Sequence, residues 1–128
     1  MNGIKQHFGV HDDALALRSQ RNTILASNIA NAATPHFKAR DLDFDAAMAK
    51  ALPEGPLATT DAQHISRAQR LNTDRLMYRD PTNPAMDGNT VELAVEQMEF
   101  SENVVRYQTS LTFLNRKISG LMSAIKGE

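Results

Sequence analysis

The sequence predicts a mainly α-helical chain: two long helices at its ends and an irregular segment between them. Two observations carry that reading. Seam positions recur at alternating spacings of four and three at both ends of the chain, the pattern of helices that pack along one stripe. The proline breaks all fall in the middle. The 128 residues suit one elongated subunit, and 41% hydrophobic but only 5% aromatic content, with no Trp, is enough for a helical interface and thin for a large globular core. The expected divisions of this single unit over 1–128 are an N-terminal helix at 10–34, a central segment at 35–89 and a C-terminal helix at 90–126.

In the first helix the seam runs Val10, Ala14, Leu17, Arg21, Ile24, Asn28, Asn31, widened by Leu25 and Ile29. Asp12 and Asp13 suit the positive end of the helix dipole. Thr34-Pro35 ends it, because a residue before proline is pushed out of the α region.

The C-terminal helix carries the longer seam: Leu93, Gln97, Phe100, Val104, Tyr107, Leu111, Leu114, Ile118, Leu121, Ile125. Asp87-Gly88 reads as a turn before it, with Asn89 as N-cap and Glu92 completing a capping box. Glu92, Glu96, Glu99 and Glu102 crowd its start, and Arg116, Lys117 and Lys126 its end, in the sense the macrodipole favours. At 1.5 Å per residue it would be roughly 50 Å long, and the first helix about 35 Å. Val91, Val95, Met98 and Val105 form a second apolar arc, so this helix needs more than one neighbour.

In the middle, residues 43–52 read as a short helix, Pro53-Glu54-Gly55-Pro56 as a break, and 57–79 show no period. Pro81 and Pro84 give an extended lead into the Asp87-Gly88 turn, and there is room for a small hairpin.

The chemistry of sites is sparse. Asp41, Asp43 and Asp45 spell the opening of a calcium loop, but position six is Ala46 instead of Gly and position twelve is Leu52 instead of Glu. The motif fails and reads as a solvated acidic turn entering a helix. His7 and His11 are four apart with no third ligand spaced nearby; His36 and His64 stand alone. The absence of Cys removes disulfides, thiolate metal sites and a Cys nucleophile. No nucleophile elbow or Gly-rich phosphate loop is present, so no catalytic residue, metal or cofactor is assigned. A net charge of −1 without a basic stripe argues against nucleic acid, and Arg18 and Arg21 read as a solvated or interface face carrying salt bridges. No apolar run approaches the roughly 20 residues of a membrane span, and the N-terminus lacks a signal-peptide core. The expectation is a chain with no direct membrane insertion and, if it is exported, no cleaved signal.

Asn28 and Asn31 remain. Polar residues inside a seam fix register or partner number at a cost in stability, and Ala26, Ala30, Ala32 and Ala33 allow close approach. On period alone two readings stand: amides satisfied across interfaces between copies, or an exposed helix end whose amides meet water.

Residues 17–44, LRSQRNTILASNIANAATPHFKARDLDF, resemble the N-terminal signature of the flagellar rod, hook and hook-filament axial proteins, a helix ending in A-N-x-A-N-x-x-T-P-G-[YF]. Asn28, Ala30, Asn31, Thr34, Pro35 and Phe37 match in order. The stretches YRDPTNPAMDGNTVELAVEQMEFSENVVRYQ and KISGLMSAIKG, in so short a chain, resemble the members that build the proximal rod. The stretch 52–76 is the least recognisable. His36 stands where the family has Gly, so the expected turn is type I or slightly strained.

The resemblance implies a structural subunit and no enzyme, its terminal helices paired as an antiparallel coiled coil packed into the inner tube of an axial structure. It implies as partners other copies, other rod proteins, the adaptor FliE, the inner-membrane (MS) ring protein and the type III export gate, and as location the periplasmic rod of the basal body. There the subunit would help to carry torque and to line an export channel. The expected assembly interface is the two seams (Leu17, Arg21, Ile24, then Leu93, Phe100, Val104, Tyr107, Leu111, Leu114, Ile118, Leu121, Ile125) with Asn28, Asn31, Pro35 and Phe37. Phe44 and Met48 resemble the family's short export motif; core contacts of a short helix are the other reading. The rival function is a cytoplasmic helical adaptor or export chaperone, which would form a stable folded dimer on its own.

Overall fold

The structure, a computed structural model, describes residues 2–51 and 76–127. Helix α1 spans Asn2–Ala30, strand β1 Arg40–Leu42, helix α2 Phe44–Ala51, strand β2 Leu76–Tyr78 and helix α3 Leu93–Lys126. Helices α1 and α3 pack antiparallel: Asn28 meets Glu96, and Arg18 and Asn22, further towards the N-terminus, meet Asn103. The break expected at 53–56 and the aperiodic stretch up to Arg75 lie outside the described residues.

Helix α1 starts before Val10 and gives way to turns from Asn31, short of Thr34-Pro35. The Asn31 N–H is shared between the carbonyls of Ser27 and Asn28, and those of Ala32 and Thr34 reach the carbonyls of Ile29 and Asn31. This tightening lets the helix end before the proline forbids it. Residues 34–37 then form a β-turn closed by Phe37 N–H on the Thr34 carbonyl, with His36 at φ 61°. A positive φ at the third position, after proline, is the type II geometry. The turn is therefore type II, not type I, and a histidine bears the left-handed conformation that glycine takes without cost. The His36 N–H is fixed on the Asp87 carbonyl.

Strands β1 and β2 pair antiparallel, Arg40 opposite Tyr78 and Leu42 opposite Leu76, with Arg79 N–H on the Ala39 carbonyl extending the ladder. The Arg40 guanidinium lies 5.4 Å from the Tyr78 ring centre. This ribbon takes the place of the expected hairpin, its strands coming from either side of α2. Asp43 caps α2 through its carboxylate on the Ala46 N–H at 3.0 Å, and Asp45 sits in the first turn. The fully buried apolar side chains among the described residues are few: Leu25, Ala39 and Leu42, gathered where α1 meets β1.

The start of α3 departs from the expected capping box. Glu92 is the N-cap and makes no side-chain cap bond; its carboxylate instead accepts the N–H groups of Thr82 and Asn83, holding the proline-rich lead-in. Asn89 serves the other helix. Its Nδ2 donates to the carbonyls of Asn31, Ala32 and Thr34 at 3.2, 2.9 and 2.9 Å, while its Oδ1 accepts the Val91 N–H. A residue read as the N-cap of α3 thus closes the C-terminal end of α1, where carbonyls lack partners. Gly88, at φ 75°, brings the chain there so tightly that a Cβ would stand 3.1 Å from His36 Nδ1.

Removing this closure has a definite cost. Asn89→Ala takes from the Ala32 carbonyl its side-chain donor and from those of Asn31 and Thr34 their second donor, and should lower unfolding free energy by about 2 kcal/mol. Urea titration followed by far-ultraviolet circular dichroism measures it; an unchanged midpoint would mean that water replaces the amide without penalty.

Candidate assembly interface

The two helices meet along a seam that is largely polar. In α3 the fully buried residues are Glu96 and Asn103, seven apart, and Asn89 continues the same spacing backwards. Phe100, Tyr107 and Leu114, half-buried, fill the alternate positions. The expected seam therefore holds at Phe100, Tyr107 and Leu114, but its other line is shifted by one residue: Glu96 and Asn103 occupy the places given to Gln97 and Val104. Helix α1 shows the same shift, with Leu25 fully buried where Ile24 was expected and Arg21 and Asn28 kept.

Asn28, Glu96 and Asn103 each have a specific partner, although Asn103 Oδ1 and Arg18 Nε are buried without one. Asn28 accepts the Arg40 N–H on Oδ1 at 3.1 Å and donates from Nδ2 to the Arg40 carbonyl at 2.7 Å and to Glu96 Oε2 at 3.0 Å. Glu96, with no exposed surface, takes its second bond from Arg79 Nη1 at 3.1 Å. Arg79 also binds Asp41, which faces Arg21 through two bonds of 2.9 and 2.8 Å, and Arg21 reaches Glu99 at 2.8 Å. Five charged side chains thus tie α1, β1, the residue after β2, and α3. Burial alone would raise the Asp41 carboxyl; hydrogen bonding and charge from Arg21, the Leu42 N–H and Arg79 outweigh it and hold it below the ordinary carboxylate value. The hydrogen bond to Asp41 raises the Arg21 guanidinium further above its ordinary value, against the effect of burial.

Further along, Asn103 Nδ2 donates to the Arg18 carbonyl and to Asn22 Oδ1, both at 2.8 Å. The Arg18 guanidinium lies 4.3 Å from the Phe44 ring centre. Burial, then the positive charges of Arg106 and Arg21, lower its pKa.

These contacts sort the expected site residues. Asn28 is buried and its amide is satisfied within one chain, so neither reading of it, bonds across copies or exposure to water, holds. Arg21 is likewise engaged inside the subunit. Asn31 bonds locally, from Nδ2 to the Ser27 carbonyl and on Oδ1 from the Thr34 hydroxyl. Asp41 is no solvated turn residue but the centre of the charge network. Leu17, Ile24, Phe37 and Val104 are half-buried, and Pro35 is exposed. Leu93, Leu111, Ile118, Leu121 and Ile125 are exposed, Ile125 to 80%. Phe44 and Met48 lie half-buried on α2, the Phe44 ring beneath Arg18. Of the histidines, the side chain of His7 and the whole of His64 lie outside the described residues. Reading for apolar period missed Glu96, Asn103 and Asn89; their seven-residue spacing was the available signal.

No protein-family model matches the chain. Among curated proteins it is similar to the flagellar basal body rod protein FlgB of Cereibacter sphaeroides, 59% identical over 128 residues and covering 100% of both chains. Relatives of the same name are 48% identical in Aeromonas hydrophila, over 94% of this chain and 93% of the relative, and 43% identical in Escherichia coli K12, over 89% and 88%.

Two outcomes follow from the network. Glu96→Gln places an amide N–H₂ against a donor and leaves Arg79 without its buried carboxylate, so unfolding free energy should fall by about 3 kcal/mol in urea titration. Asp41, with its folded pKa depressed, contributes stability that is present above the unfolded value near about 4 and lost as pH falls through the lower folded value. The urea midpoint of the native chain should therefore drop more steeply below about pH 4 than that of Asp41→Asn; parallel pH profiles would remove Asp41 from this role.

Proposed function

The chain belongs to the FlgB family of flagellar basal body rod proteins, and from that membership we propose that it is a subunit of the proximal rod, working by helix packing against other axial subunits. Its activity is assembly, without catalysis. The observation that carries this reading is the outer half of α3. From Leu111 onwards Leu111, Ile118, Leu121, Met122 and Ile125, which share one arc of the helix with half-buried Leu114, are each more than a third exposed. A continuous apolar stripe of this length left open to water is what an interface needs. The polar seam keeps the pair in register and the outer stripe meets neighbours, so assembly surface and folding surface are different residues. Of the expected interface, Leu111, Ile118, Leu121 and Ile125 are available in this way, with Leu93 and Pro35 exposed towards the opposite end of the pair.

At the base of the rod the subunit would join the inner-membrane ring and the FliE adaptor to the next rod subunits. In the periplasm it would carry torque and help to line the export channel. Among the described residues, no helix is long and apolar enough to cross a membrane. Delivery would use the type III export gate. Phe44 and Met48 would be read there in an unfolded chain, free of the Arg18 stack that covers Phe44 in the folded one.

Deleting the gene in its source organism should give cells that do not swim in soft agar and whose basal bodies, by electron microscopy, keep the membrane ring and lack the rod. The intact gene should restore both, and Leu121→Glu, on the outer stripe, should not, although the purified variant keeps its helix content. Complete rods in the deletion strain would overturn the reading.

A further inference from the structure

One exposed side chain, Met86, packs against nothing in the subunit itself. The turn at residues 85–88 is closed by Gly88 N–H on the Ala85 carbonyl and presents Met86 with its whole side chain in solvent. A fully exposed methionine at the tip of a turn is ordinarily mobile. This turn is pinned instead: the Asp87 carbonyl accepts the His36 N–H, the Asp87 carboxylate accepts the Asn89 N–H at 3.0 Å, and the exposed Lys38 Nζ donates to the Gly88 carbonyl at 2.6 Å. It is a preorganised apolar knob beside a carboxylate that forms no ion pair among the described residues.

The same chain carries a matching shelf. On the outer face of α3, Val105, Thr109, Thr112, Phe113 and Arg116 line a shallow depression of about 330 Å³. Val105 and Phe113 are 61% and 55% exposed, and Arg116 too forms no ion pair among the described residues. Charge divides along the element in the same sense. Asp80, Asp87 and Glu92 lie at the knob end, with Lys38 beside them, while every charged residue from Asn103 to Gly127 is basic: Arg106, which pairs with Glu102, and Arg116, Lys117 and Lys126.

We propose that the Met86–Asp87 knob of one copy seats on the shelf of a second copy, Met86 against Val105 and Phe113, and Asp87 against Arg116. Knob and shelf lie on the order of 25 Å apart along α3, so one chain cannot satisfy itself. Because the two patches are different, the contact is heterologous, and it propagates as an open, staggered series rather than closing as a two-fold dimer. The inference rests on the axial-subunit reading and names its neighbour-to-neighbour contact.

The chain has no cysteine, which makes the test clean. Met86→Cys and Thr109→Cys are introduced together into the gene in its source organism, swimming is scored, and the cells are treated with a short bismaleimide. A cross-linked ladder of dimer, trimer and larger species of this chain, absent from each single-cysteine strain, is expected. Adding Asp87→Arg or Arg116→Asp should reduce it by up to about fivefold, the weight of a surface ion pair, and adding both should restore it. Swimming cells without a ladder, or with Met86→Cys captured by a different protein, would overturn this contact while leaving the rod-subunit reading in place. If the cysteine pair itself stops swimming, the charge exchange decides without cysteines: swimming reduced by either reversal and recovered with both supports the contact, and any other pattern overturns it.

Discussion

The side-chain amide of Asn28 faces the backbone of Arg40 as a neighbouring strand would, accepting from its N–H and donating to its carbonyl. Arg40 needs such a partner. With Ala39 and Arg79 bonded to each other, the Arg40–Tyr78 pair is one whose backbone groups point out of the ribbon. A two-stranded ribbon is marginal on its own in water; here a helix supplies the third edge through one side chain. The same Nδ2 reaches Glu96 on the opposite helix. One amide therefore fixes the ribbon to α1 and α1 to α3, and the rest of the fold is placed relative to it.

The charge network follows from that placement. Once Glu96 is buried against Asn28, it requires a cation, and Arg79 at the end of β2 provides it; Arg79 and Arg21 then share Asp41. Buried ion pairs return little net stability compared with apolar packing, but breaking one is expensive. With so few buried apolar side chains among the described residues, the polar seam acts chiefly on register. A slide of one helix past the other would separate Glu96, Asn103 and Asn89 from their partners together, whereas an apolar stripe would tolerate it. The distal half of α3 is then left to contacts that need only be apolar and well placed.

Much of this was legible from residue pattern, and the failures share one cause. Helices, short helix and polar turns announced themselves through period, Asp43 and the proline breaks. Phe100, Tyr107, Leu114, Arg21 and Asn28 fell on the observed seam because apolar spacing or an out-of-place amide marked them. Glu96, Asn103 and Asn89 did not, since hydropathy ranks them as surface residues and their burial depends on Asn28, Arg18 and the end of α1, far away in sequence. The β ribbon was faint because three residues per strand carry no alternation and its third edge is a side chain. His36 shows the converse. The turn type followed from Thr34-Pro35 and the backbone bonds on either side, and His36 takes the left-handed position they set.

The closure of α1 by Asn89 also sets an order of events. The amide and the carbonyls it satisfies are separated by 55 to 58 residues, a loop whose ends must meet before the contact returns anything. A chain made from its N-terminus therefore carries an α1 with an open end until the segment before α3 has emerged. The first helix to appear is thus completed only after β1, α2 and β2 have followed it, which delays its closure until the start of α3 is at hand.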